Sequence, residues 1–391
     1  MIGLLLTARS LRAFADGYVA VLLPAYLLAL GYGTIEVGVL STVTMLGSAA
    51  ATLAVGRWGH RFDLRAMLIA AAGLMALTGI GFAAFSSLWP LLIVALAGTM
   101  NPGGGDVSVF YPLDHTALAA ATPGNTRTTA FARYSFIGSM FGATGALAAG
   151  VPEWVTQIYG VSMLAALKLM FVAYGAIGVA VGVLYACFPR APVEAETPAV
   201  PLGPSRATVW KLAGLFSVDA FAGGFIINAL LALWLFERFD LSLTAAGAFF
   251  FWTGLLSAVS QLAAAPLARR IGLVNTMVFT HLPANFCLIA AAFAPTLEIA
   301  LALLLVRSAL SQMDVPARGA YVMSVVTPAE RPAAASFTAV PRSLASSLSP
   351  SITGALFAAG AMATPLVLCG VLKSAYDVAL LLMFRRVQPR E

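Results

Sequence analysis

A chain of 391 residues that is 60% hydrophobic and only 10% charged, with a formal net charge of +6 and a mean hydropathy of +0.92, is no water-soluble globular protein, in which about 25% of residues are charged. The composition is that of an integral membrane protein. Cys187, Cys287 and Cys369 stand singly and His60, His115 and His281 are scattered, so no disulfide framework, bound metal or cofactor is expected.

Apolar runs of about 20 residues between polar or Pro/Gly breaks predict membrane helices. In chain order they cover 9–30, 35–55, 66–86, 89–118, 128–150 and 158–187, then 208–235, 243–267, 275–293, 297–325, 333–360 and 363–384. That gives twelve spans in an all-α membrane fold. Met1 to Leu6 is too short for a cleaved signal, and the first apolar run is long enough to remain as a membrane helix. In the fourth span the stretch Asn101-Pro102-Gly103-Gly104-Gly105 predicts a helix break, because proline removes a backbone donor and glycine weakens a helix.

Placing the N-terminus in the cytoplasm puts eighteen Lys and Arg residues, from Arg9 to Arg390, on or next to the cytoplasmic side and leaves only Arg238 opposite. Both termini are then cytoplasmic, in a multi-pass protein of the inner (plasma) membrane. Topology accounts for the positive charge, so no nucleic-acid partner is expected, only the lipid bilayer.

The chain divides at Pro189 to Ala207, a stretch with five prolines and mixed charges that reads as a cytoplasmic linker. Six spans precede it, in residues 1–188, and six follow, in 208–391. The halves also repeat in residues: "ADGYVAVLLPAYLLAL" matches "VDAFAGGFIINALLAL", aligning Asp16 with Asp219 at an offset of 203. Lys168 and Lys373 keep nearly that spacing. Parallel six-helix repeats of this kind place a substrate site near the midplane, at the interface of the halves.

The loop "GRWGHRFDLR", Gly56 to Arg65, resembles the G-x-x-x-D-R-x-G-R-[RK] signature of the major facilitator superfamily. Gly56, Arg61 and Arg65 match, whereas His60 stands in the acidic position and Asp63 and Leu64 replace the second Gly and the next Arg. A second copy, "APLARRIGLVN", keeps Arg270 and Gly272. The resemblance implies two pseudo-symmetric six-helix bundles around a central cavity. It also implies a cytoplasmic gate at Gly56, Arg61, Arg65, Arg270 and Gly272. His60, with an ordinary pKa of about 6.5, would make that gate pH-sensitive.

Ionisable groups within spans are functional candidates by default. In the resembled fold spans one, four, seven and ten line the cavity. Here they carry Asp16, Asn101, Asp106, Asp219, Asn228, Arg307, Gln312 and Asp314, which become the candidate substrate and proton pathway. Two of the acids have an arginine one turn away, Arg12 for Asp16 and Arg318 for Asp314, so an ion pair is the structural alternative for each. On spans six and twelve, Lys168, Lys373 and Asp377 form a candidate charge-pair or proton-linked set, with Asp377 one turn after Lys373 and in reach of it.

The resemblance implies a secondary active transporter working as a monomer by alternating access, with a small-molecule substrate and protons as partners. Proton-coupled export of a small amphipathic compound or metabolite is the first expectation. Uptake of a small organic anion, by symport or facilitated diffusion on Arg307, is the alternative. A membrane enzyme or receptor ranks below both, since the sequence contains no nucleophile–base set or phosphate loop.

Overall fold

The computed structural model describes residues 1–103, 108–122, 127–188, 202–327 and 330–385. Among the described residues there are sixteen α-helices, two single turns of 3-10 helix and no strand. This follows from the solvent: in hydrocarbon every backbone donor needs an internal acceptor, and a helix supplies one within its own segment.

The first six spans are built from α1 (Ile2–Ala29), α2 (Thr34–Trp58), α3 (Leu64–Ala84), α4 (Leu88–Ala97) with α5 (Phe110–Ala121), α6 (Arg127–Leu147) and α8 (Met163–Ala186). Between the last two lies α7 (Val151–Tyr159), a helix where the apolar pattern left a gap between the runs 128–150 and 158–187. Its Trp154, Ile158 and Tyr159 are exposed, as expected for an element at the membrane–water boundary. Gly160, at φ +65°, ends α7, and the Ser162 hydroxyl then accepts from the Ala165 N–H to start α8. The sixth span therefore begins at Met163 rather than near 158.

The other six comprise α9 (Arg206–Gly224) with α10 (Asn228–Phe239), α11 (Leu243–Ile271), α12 (Leu273–Ala292), α13 (Leu297–Ser311) with α14 (Asp314–Val325), α15 (Arg331–Ala358) and α16 (Thr364–Phe384). Among the described residues ten spans are helices long and apolar enough to cross a membrane. The split fourth span and α15 complete the twelve.

By contacts the chain forms two compact units, residues 1–196 with 227–251, and 197–226 with 252–391. In the first, α1 packs on α6 and α8, and α3 packs on α8. The α3–α8 approach depends on Gly79, where an added Cβ would collide with the backbone of Phe171 and Gly175. Close backbone approach at small residues is how membrane helices gain packing without a hydrophobic driving force. In the second unit α9 packs on α15 and α16, and α12 on α16 and α13. Its apolar core includes Leu212, Phe216, Met277, Tyr321, Tyr376 and Phe384.

Three spans are interrupted. The fourth breaks after Ala97, as Pro102 and the glycines predict; the seventh breaks at Phe225–Ile227, and the tenth at Gln312–Met313. Within the first unit the break in the fourth span has a use: the Pro102 carbonyl accepts the Ala229 N–H at 3.0 Å. Ala229 opens α10, so its N–H has no partner within that helix. Non-helical backbone at membrane depth is tolerated where protein or an aqueous cavity surrounds it.

Candidate functional site

In the first unit the buried charge is carried by Arg12 on α1 and Asp114 on α5, 3% and 0% exposed, which form an ion pair. Asp114 also accepts from the hydroxyls of Tyr134 on α6, at 2.6 Å, and Tyr185 on α8, at 3.0 Å. One carboxylate thus ties four helices, each through a charged or charge-assisted hydrogen bond. The Arg12 guanidinium also lies 4.0 Å from the centre of the Phe110 ring, a favourable place for a weakly hydrated cation. Asp16 is half-buried one turn along α1, where its carboxylate accepts from Tyr174 Oη at 3.4 Å. The arginine one turn before it has gone to Asp114.

The second unit holds the larger cluster. Asp219 on α9 receives Lys373 Nζ from α16 at 2.5 Å on one oxygen and Arg318 Nη1 from α14 at 3.0 Å on the other. Arg318 also reaches Asp314 at 3.3 Å, the local pair that the one-turn spacing allowed. Beside it, Asp377 on α16 is fully buried and is held by two residues of α12: His281 Nδ1 lies 3.0 Å from Oδ1, and Asn285 Nδ2 donates to Oδ2 at 3.0 Å.

This corrects the pairing drawn from spacing. Lys373 is bound to Asp219, 154 positions away, and Asp377 is occupied by His281 and Asn285. The one-turn contact competes with a second helix, and across the α9–α16 interface Lys373 shares a carboxylate with Arg318. The two lysines likewise differ in surroundings. Lys168 is the sixth residue of α8 and donates to Ser86 Oγ at 2.9 Å, whereas Lys373 is the tenth residue of α16 and buried.

The remaining candidates are spread out. Arg307 is half-buried on α13 near Cys287 and Cys369, and among the described residues it has no hydrogen-bond or ion-pair partner. Asn101, buried at the break in the fourth span, accepts from the Gly103 N–H at 2.9 Å. Asn228 begins α10 and Gln312 caps α13, both half-buried. Asp106 lies outside the described residues.

At the loop that carries the signature, Asp63 caps α3 by accepting from the Ala66 N–H at 3.0 Å, and Arg65 donates to the Ala186 carbonyl at the end of α8. Gly56, Arg61 and Arg270 are exposed. Gly272, at φ +87°, turns the chain between α11 and α12, a conformation that favours glycine.

Five residues of these clusters were not among the candidates, namely Asp114, Tyr134, Tyr185, His281 and Asn285, and Arg318 was named only as a partner of Asp314. Asp114 announces itself only as one acid in "FYPLDHTALA". His281 and Asn285 are one turn apart, a face of α12 whose meaning depends on α16.

The two units share a rule. A cation on span one meets an acid on span four, Arg12 with Asp114, and an acid on span seven meets a cation on span ten, Asp219 with Arg318. The signs are exchanged between the halves. A profile described as the Major Facilitator Superfamily matches residues 5–311.

The chain belongs to the Major Facilitator Superfamily. It is 22% identical over 416 residues to the uncharacterized membrane protein YJR124C of Saccharomyces cerevisiae, covering 97% of this chain and 93% of the yeast protein. Its fold matches the inward-facing, occupied structure of a bacterial homolog of the human lysosomal transporter Spinster, with a TM-score of 0.78 at 15% identity over 98% and 97% of the two chains. The nucleoside transporter NupG gives 0.75 at 14% over 98% and 99%, and the inward-open xylose transporter XylE from E. coli gives 0.74 at 15% over 100% and 97%. The twelve-helix all-α membrane fold read from the sequence is thus the fold of this superfamily, and the chain is a multi-pass membrane transporter.

Proposed function

We propose that this transporter moves a small amphipathic compound or metabolite out of the cell in exchange for protons, by alternating access. The observation that carries the reading is Asp219, one buried carboxylate shared by cations from two other helices, at 2.5 Å from Lys373 and 3.0 Å from Arg318. With Asp314 the ion-paired set is two acids and two cations, and Arg342 of α15 adds a further positive charge near Asp219. A proton on Asp219 leaves the set with an uncompensated positive charge, so proton binding must loosen α9 from α14 or α16. That converts a proton gradient into helix movement. The break at Phe225–Ile227, shortly after Asp219, gives the span somewhere to bend.

On this reading Asp16, Asn101, Asp106, Asn228, Gln312 and Asp314 belong to the substrate and proton pathway. Arg61, Arg65 and Arg270, with Gly56 and Gly272, act at a cytoplasmic gate. The protein works as a monomer in the inner membrane with both termini inside.

Arg307 favours a second reading. A half-buried guanidinium with no acidic partner among the described residues suits an organic anion, which it would hold through a planar fork of donors.

Counterflow in proteoliposomes against small acids, amines and amphipathic cations, with and without a pH gradient, separates the two. Proton-driven exchange that is lost in the Asp219→Asn/Lys373→Met double variant, in which one cation is removed with the acid, supports the first. Gradient-independent anion exchange that is lost in Arg307→Gln and kept in that double variant replaces it with the second.

A further inference from the structure

The second unit contains two carboxylates in reach of one lysine, and they are compensated unequally. Asp219 has two cations, Lys373 and Arg318. Asp377, one turn from Lys373 on α16 and 0% exposed, has a histidine and an amide. Histidine is the side chain whose ordinary titration falls in the physiological range. We infer that the His281–Asp377 pair is a proton-binding site and that its occupancy selects which carboxylate holds Lys373.

Proton counting gives the mechanism. The 3.0 Å contact between Nδ1 and Oδ1 needs one proton between the two atoms. With that proton alone the pair carries a charge of −1; a second proton, on the ring's Nε2, brings it to zero. At zero, the charge of Asp377 is compensated within the pair, and the lysine sits on Asp219, as observed. When the second proton leaves for the aqueous phase, the Asp377 carboxylate loses that compensation one helical turn from Lys373, the spacing at which side chains on a helix meet. The flexible stem of Lys373 lets its ammonium cross without moving the backbone. Asp219 is then left with Arg318 and becomes available to a proton or a substrate cation.

The surroundings are consistent with this division. Facing the pair are Asp219 from α9 and Lys373 and Tyr376 from α16 itself, the Tyr376 ring centred 6.4 Å from that of His281. Asp314 and Arg318 of α14 and Arg342 of α15 surround Asp219 and make the side around it the more positive one. From α13, Arg307 lies near Cys287 and Cys369. Asn285 fixes the second oxygen of Asp377 by donating to it at 3.0 Å, so the carboxylate keeps one orientation in both states.

The link to transport rests on the proton-exchange reading above, while the titration itself does not. The chain has three histidines and three lysines, few enough to follow each by nitrogen-15 NMR on the full-length protein in lipid nanodiscs. In a His60→Gln/His115→Gln double variant His281 is the sole histidine. Its ring nitrogens should report one protonation step within the pH range in which the protein stays folded. The Lys373 ammonium signal, assigned by Lys373→Arg, should shift with the same midpoint. Asp377→Asn should remove the step from the lysine while His281 still reports. A His281 signal that stays constant from about pH 4 to 9, or a Lys373 signal that ignores the His281 step, overturns the inference on the otherwise native protein. Titration without any pH-driven flux would sink the transport reading and leave this site standing; flux with a silent His281 would do the reverse.

Discussion

Lys373 is bound to Asp219, across the α9–α16 interface at 2.5 Å, with Arg318 on the opposite oxygen of the same carboxylate at 3.0 Å. Each of the three residues is less than 10% exposed. In a membrane interior an uncompensated charge is expensive, so the effects of mutation should be conditional on the partner. Asp219→Asn leaves two cations facing each other and should cost about 3–5 kcal/mol, the usual range for removing one partner of a buried pair. It should appear as loss of the monodisperse peak in detergent. Lys373→Met added to Asp219→Asn should restore much of the peak, whereas Lys373→Met with Asp377→Asn should not. Recovery in the second double variant and not in the first would mean that Lys373 pairs within its own helix.

Asp114 anchors Arg12, Tyr134 and Tyr185 at once. Asp114→Asn should therefore destabilise more than Tyr134→Phe, which removes a single donor and should cost about 1.5–3 kcal/mol as a bond to a charged group. Thermal unfolding of the purified variants ranks them. Equal midpoints for the two would show that Asp114 is not the hub.

Glu330 lies outside the membrane spans. It accepts from Thr327 Oγ1 at 2.6 Å, Ser205 Oγ at 2.7 Å and the backbone N–H groups of Gly203 and Ser205. The Thr327 and Ser205 hydroxyls, with these backbone donors, hold its carboxyl down at about 2, against an ordinary value of 4.5. A pKa lowered by folding contributes stability above the unfolded value and loses it as pH falls through the folded one. Glu330 should thus support the start of α9 at neutral pH and cease to between about pH 4.5 and 2. Glu330→Gln should flatten this part of the stability curve; an unchanged slope would exclude the contribution.

Glu153 on α7 accepts from the Leu243 N–H at 2.7 Å, the Thr244 N–H at 3.0 Å and Thr244 Oγ1 at 2.5 Å. It thereby satisfies donors that the first turn of α11 cannot pair within its own helix. Glu153→Ala should weaken that helix start by about 1 kcal/mol, as loss of a cap does. Amide exchange at residues 243–245 should quicken roughly fivefold on that estimate, with little change along the rest of α11. Uniform quickening along the whole helix would point to global destabilisation instead.

What the sequence determines by itself is whatever the bilayer imposes on each segment separately. Apolar runs read together with the Pro/Gly and polar breaks between them locate the spans, because a helix satisfies most of its backbone within its own segment and must match one hydrocarbon thickness. Proline and glycine mark the break at Asn101–Gly103 because their effect on helix geometry is local. The Asp314–Arg318 pair is legible for the same reason, being one turn of one helix. Only the tertiary structure decides among partners that several helices offer. Lys373 had Asp377 within reach on its own helix and is bound to Asp219, 154 residues away. Asp377 goes to His281 and Asn285, and Arg12 to Asp114, 102 residues on, rather than Asp16. In a medium of low dielectric a charge goes to the neighbours that compensate it and its partners together. Those neighbours are set by which helix faces meet, a property of the packed bundle that no single span encodes.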